Sequence, residues 1–191
     1  MLNRLFRRNA VDRHAVARLY MDVVEAARRP VFFGGGGVPD SVAGRFDMIV
    51  LHAFLVFRRL KSEDEGARAF AQALFDHMFA DIDYNLRELG VGDLSVGKKV
   101  KAMAQDFYGR VSVYEQALDA ADDAALVQML QRNLYDGEDP GSGRLQALAA
   151  YMKREDSALA AGPIDGLLAG TVSFGPPPAF PPEGEISHAG P

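Results

Sequence analysis

The chain is 191 residues long, carries a formal net charge of -5 and has no cysteine. That length suits one domain with a buried core, and the negative balance argues against DNA as a partner. The missing thiol excludes a disulfide framework, a thiolate metal site and a cysteine nucleophile, and no stretch reaches the ~20 apolar residues that a membrane-spanning helix needs.

Residues 1–10 form a basic N-terminal segment in which Leu2, Leu5 and Phe6 share one helical face among Arg4, Arg7 and Arg8. This is the pattern of a short membrane-surface or partner-binding helix and equally of a frayed terminus, and it lacks the apolar core of a secretory signal. From 11 to 28, Val16, Leu19, Tyr20, Val23 and Ala27 recur at helical spacing until Pro30 stops the helix. The glycines Gly34 to Gly37, with Pro39 beyond, predict a flexible tether; a phosphate cradle would need a preceding strand. Asp47 is placed to cap a nearly all-apolar helix over 48–61, which therefore belongs at the centre of a bundle. His52, inside it, reads as a hydrogen-bonded core residue and not as a ligand.

A long amphipathic helix over 63–89 presents Phe70, Leu74, Phe75, Met78, Phe79, Ile82 and Leu86. Ser95 is the expected N-cap of the next helix, which runs through Val96, Val100, Met103, Phe107 and Val111 towards Leu118. Two further helices follow, over 122–135 with Leu126, Leu130 and Leu134 inward, and over 142–160 with Leu145, Leu148 and Met152 inward. With no strand-like alternation, the fold class is all-α, a single-domain bundle of about six helices over 11–162. Beyond Gly162, seven prolines and no lysine or arginine predict an extended or disordered tail over 163–191, in which 171–174 is the stretch able to dock.

The segment 81–103 reads DIDYNLRELGVGDLSVGKKVKAM, an acidic helix end, a glycine break and a lysine-rich helix start. Gly92 to Lys98 fits seven positions of the phosphate-binding P-loop, but Lys99 stands where a magnesium-binding hydroxyl belongs, and helix takes the place of the required strand. His77 and Asp81 share a helix face at i, i+4, which supplies two metal ligands and no site; Asp83 faces elsewhere. No serine lies in a GxSxG elbow. Neither catalysis, a metal nor a cofactor is expected.

With the upstream RFDMIVLHAFLVFRRLK, this segment resembles the ubiquinol-cytochrome c chaperone family, assembly factors of respiratory complex III. The resemblance rests on Asp83, Leu86, Arg87, Glu88, Gly90, Val91, Gly92, Asp93, Val96, Gly97, Lys98, Val100 and Lys101, and upstream on Phe46, Leu51, His52, Leu55, Arg58 and Arg59. It implies a non-enzymatic chaperone that binds newly made cytochrome b, with the ribosome, a small helical partner protein and an anionic membrane surface as further candidate partners. It also implies a bacterial member, cytoplasmic or peripheral at the inner face of the cytoplasmic membrane. The candidate client- or partner-binding residues are Asp83, Arg87, Glu88, Gly90, Gly92, Asp93, Gly97, Lys98, Lys99 and Lys101.

An apolar client needs a groove of adaptable side chains, and Met48, Met78, Met103, Phe75, Phe79, Phe107 and Tyr108 are candidates to line one, against the plainer reading that such a stripe is core. Lys98, Lys99, Lys101 and Arg110 form a basic set suited to rRNA, anionic lipid, an acidic partner or plain solvent. Two other classes fit the same chain: a general helical protein- or lipid-binding module at the membrane surface, and a helical enzyme acting on a lipid or isoprenoid.

Overall fold

The computed structural model describes residues 11–34, 37–61 and 63–180, so the basic segment 1–10 and the last residues of the tail lie outside the described residues. Seven α-helices and one 3-10 turn make up the regular structure of the described residues. Helix α1 (Arg13–Ala27) opens where the Asp12 carboxylate accepts the His14 amide at 2.9 Å, and it buries Val16, Leu19, Tyr20 and Val23. Pro30 starts the 3-10 turn Pro30–Phe32, which drives the Phe32 ring into the core.

The glycine stretch differs from the expected tether. The Val38 amide donates to the Phe32 carbonyl at 2.8 Å and the Val38 side chain is buried. A Cβ at Gly37 would stand 2.2 Å from the Phe32 carbonyl oxygen, and one at Gly44 would stand 2.1 Å from that of Pro39. At Gly37, which ends the stretch, and at Gly44 in the following helix, glycine is required by proximity to backbone; Gly35 and Gly36 lie outside the described residues.

Helix α2 (Val42–Lys61) begins six residues earlier than the Asp47 cap predicts. Ser41 Oγ accepts the Gly44 amide at 3.0 Å and caps it, while Asp47 falls one turn inside and points into the protein. Every residue from 48 to 56 is buried, as an all-apolar helix demands. Around α2 stand α3 (Glu65–Glu88), α4 (Asp93–Leu118), α5 (Ala124–Leu134) and α6 (Ser142–Ala161), each touching it, as α1 does. Asp64 caps α3 through the Ala67 amide at 2.9 Å. Helix α4 starts at Asp93 behind Gly92, so Ser95 is not its cap; the signal came from a residue already in the first turn.

The short helix α7 (Ile164–Leu168) and the extended chain after it form a strap across α1 and α6. Arg18 donates to the Ala169 carbonyl at 2.8 Å, Asp22 accepts the Val172 amide at 2.9 Å, and Arg29 donates to the Gly175 carbonyl at 2.7 Å. The buried carboxylate of Glu155 accepts the Gly175 amide at 2.9 Å. Phe174 is buried with its ring centroid 4.9 Å from that of His52. Helix α7 and the extended chain after it, as far as residue 180, therefore pack on the bundle. The segment has little apolar content of its own; carboxylates and guanidinium groups from α1 and α6 supply the partners for its backbone.

Candidate binding surfaces

The helices α3 and α4 form an antiparallel hairpin whose corner carries the candidate residues. Leu89 closes α3, Gly90 follows with φ 83°, the Val91 amide donates to the Leu86 carbonyl at 3.0 Å and the Gly90 amide to that of Arg87 at 2.9 Å. These two bonds make a Schellman motif, in which Gly90 supplies the left-handed residue. Arg87 sits between two carboxylates: its Nε lies 2.6 Å from Asp83, and its Nη1 donates to Asp93 across the turn. Asp83, Arg87 and Asp93 thus lock the corner as an ionic staple. Glu88, Gly92, Gly97, Lys98, Lys99 and Lys101 are exposed around it, and a Cβ at Gly92 or Gly97 would meet no atom within 4 Å.

Arg110 leaves the basic set. Its guanidinium lies 2.6 Å from Asp47 and 2.7 Å from Asp106, joining α2 to α4 beneath a polar cleft of about 740 Å³ lined by Gln116, Gln128, Gln131 and Arg132. Burial pushes the Asp47 carboxyl up to about 6, against the opposing pull of Arg110.

An apolar cleft of about 250 Å³ opens between α2, α3 and α4. Phe54 and Phe57 from α2, Ala71 and Phe75 from α3, and Phe107, Tyr108 and Val111 from α4 line it. Phe75 stacks between Phe79 (4.6 Å between centroids) and Tyr108 (5.2 Å), and Phe57 meets Phe107 at 5.5 Å. The rim is charged but largely self-neutralised: Arg58 binds Asp119 at 2.6 Å and Asp156 at 3.0 Å, and Lys61 binds Glu115 at 2.9 Å. Such a cleft can seat apolar side chains of a partner without leaving its own charges unpaired.

Of the seven side chains expected to line a groove, Phe75, Phe107 and Tyr108 do. Met48 and Met78 are fully buried and Phe79 nearly so, and Met103 packs half-buried against the same core outside the cleft. Phe57, Ala71 and Val111 were missed because a cleft position and a core position have the same apolar spacing on a helix.

His77 and Asp81 do not form a ligand pair. Asp81 accepts the Tyr20 hydroxyl at 2.9 Å and His77 packs edge-on against the Tyr20 ring, so both serve the α1–α3 contact. Among the described residues no group of three or more histidine or acidic side chains is placed to hold a metal ion, and no helix is long and apolar enough to cross a membrane.

A helical bundle with an open apolar cleft and an exposed charged corner places the chain in the all-α class. A family model described as ubiquinol-cytochrome c chaperone matches residues 36–174, and the chain belongs to that family. The crystal structure of the Cbp3 homolog from Brucella abortus superposes with a TM-score of 0.79 and 38% identity, covering 92% of this chain and 97% of that one. Ubiquinol-cytochrome-c reductase complex assembly factor 1 of Xenopus laevis is 24% identical over 85% of this chain and 81% of its own length. The human protein of that name is 25% identical over 85% of this chain, which spans only 54% of the human length. The Xenopus and human relatives are named as assembly factors.

Proposed function

We propose that the chain is an assembly chaperone for respiratory complex III that holds newly made cytochrome b by an apolar segment seated in the α2–α3–α4 cleft. The observation that carries this reading is the cleft itself, an open aromatic surface flanked by Arg58 and Lys61, both paired with carboxylates. A membrane protein before assembly exposes helices of large apolar side chains, and a helix laid along such a cleft anchors at i, i+3 and i+4 spacing. Family membership supplies the process; the aromatic cleft supplies a place for the client.

Deletion of the gene is expected to remove cytochrome b protein while sparing its transcript, and the tagged chain is expected to co-purify with cytochrome b. Normal cytochrome b levels in the deletion strain overturn the reading. Sedimentation of the tagged chain with ribosomes from the same cells tests the ribosomal contact, which is a separate part of the proposal.

A further inference from the structure

We propose that the α3–α4 corner is a membrane-surface contact, in which Leu89 and Leu94 enter the headgroup boundary of an anionic bilayer and Lys98, Lys99 and Lys101 bind its phosphates. Leu94 is the most exposed large apolar side chain among the described residues, at 101% of its reference area, and Leu89 and Tyr84 nearby stand at 63% and 61%. All three fall within eleven residues of one helical corner, where they bury nothing of the fold.

The charge around them is equally specific. The chain has five lysines. Lys61 and Lys153 are each paired with a carboxylate, Glu115 and Asp123 respectively. Among the described residues the other three, Lys98, Lys99 and Lys101, have no carboxylate partner, although the chain as a whole is acidic. Of the acidic groups at the corner, Asp83 and Asp93 are turned onto Arg87, and Glu88 stands exposed beside them without neutralising a lysine. At 100° per residue, Leu94, Lys98 and Lys101 lie within about 60° of one another on α4, while Lys99 is turned about 100° to the side of Lys98.

Exposed aliphatic groups at a tip, ringed by unpaired lysines with long apolar stems, are the composition of an interfacial anchor: the leucines leave water and the ammonium groups reach up to the phosphates. Tyr84 suits the same boundary, with an apolar ring and a polar end. An RNA backbone would pair with the lysines and leave both leucines in water, whereas an anionic bilayer satisfies both. Tyr108, at the mouth of the apolar cleft, lies on the same face of α4 about 21 Å further along the helix, which keeps the cleft close to the surface where a membrane protein is made. The inference itself does not rest on the identity of the client.

Because the chain has no tryptophan, Leu94→Trp in the full-length protein places a single reporter at the tip. The variant is expected to sediment with vesicles of equal parts phosphatidylcholine and phosphatidylglycerol and not with phosphatidylcholine alone, with tryptophan emission shifted to the blue and quenched by brominated acyl chains. In the otherwise unaltered chain, Lys98→Gln, Lys99→Gln and Lys101→Gln together should weaken partition about a hundredfold, at about fivefold per lysine. Leu89→Ser with Leu94→Ser should weaken it about tenfold. These side chains are solvent-exposed, so an unchanged melting temperature confirms that folding is not the cause. Three outcomes overturn the proposal: no partition onto anionic vesicles; partition with unshifted Leu94→Trp emission, which would put the contact elsewhere, such as the basic residues near the N-terminus; and lysine-dependent binding to RNA or ribosomes with vesicles ignored.

Discussion

His52 Nε2 lies 2.8 Å from the Tyr151 hydroxyl while its Nδ1 lies 2.8 Å from the Met48 carbonyl. A carbonyl only accepts, so Nδ1 carries the proton and Nε2 accepts from Tyr151. The ring is neutral, wholly buried and enclosed by Phe32 and Phe174, and burial lowers its pKa to about 4. A histidine depressed below its unfolded value contributes stability that is present above about pH 6.5 and is lost as pH falls through about 4. Asp47, one turn earlier on α2, has the opposite sign. Its carboxyl is raised to about 6, so its contribution is present below about 3.8 and is lost as pH rises through 6.

The two groups therefore oppose each other in one window. Between about pH 4.5 and 6.5 the melting temperature of the native chain should change little on their account. Asp47→Asn leaves only the histidine contribution, so its melting temperature should fall more steeply on acidification than that of the native chain. His52→Gln leaves only the aspartate, and its stability should rise as pH falls from 6.5. Thermal melts of the three proteins across the window check this; parallel curves would refute the assignment.

The strap should behave as part of the core. Phe174→Ala removes a buried ring from beside His52 and is expected to cost about 3 kcal/mol in urea unfolding. Gly170→Ala should be worse than its size suggests. Gly170 has φ 86°, and a Cβ there would stand 2.4 Å from the Ala15 carbonyl oxygen on α1. Ala15 is rigid backbone and cannot yield, so loss of strap docking, read as proteolysis after residue 162, is the expected result.

The contrast between Phe174 and His52 shows what sequence carries. His52 was legible as a satisfied core residue because an apolar helix surrounds it in the sequence itself, and the six longer helices were legible from their own periodicity. Of the strap, only 171–174 was legible as able to dock, because the order of the segment comes from partners such as Arg29 and Glu155, which lie 146 and 20 residues away from Gly175. Asp47 read as a cap for the same reason. Local sequence offers an acidic residue before an apolar run, and the competing partner Arg110 sits 63 residues downstream. At the candidate surfaces the Gly90 turn was legible, since a positive φ selects glycine, while the apolar cleft was hidden among core positions of identical spacing.

Within the cleft, Tyr108 is the position to change first. It is 58% exposed, so Tyr108→Asp should cost no more than about 1 kcal/mol of unfolding free energy while placing a charge in the aromatic lining. Capture of cytochrome b from detergent-solubilised membranes should then fall at least tenfold. A control at Val42, exposed far from the cleft, should not alter capture. Equal loss in both variants, or in neither, would remove the cleft from the client contact.

The corner glycines separate folding from binding. Gly90→Ala forces a Cβ into the left-handed region at φ 83° and should cost about 1 kcal/mol. Gly97 lies inside the first turns of α4, where a Cβ would meet nothing within 4 Å. Gly97→Ala should therefore stabilise the isolated chain by about 0.5–1 kcal/mol, since glycine weakens a helix interior. A glycine that weakens its helix without filling a packing need fits a surface that another molecule approaches closely. The decisive measurement pairs urea unfolding of Gly97→Ala with its partition onto anionic vesicles and its capture of cytochrome b. A gain in stability with a loss in either binding assay identifies Gly97 as a contact position, whereas a gain in stability with both unchanged leaves it a neutral surface glycine.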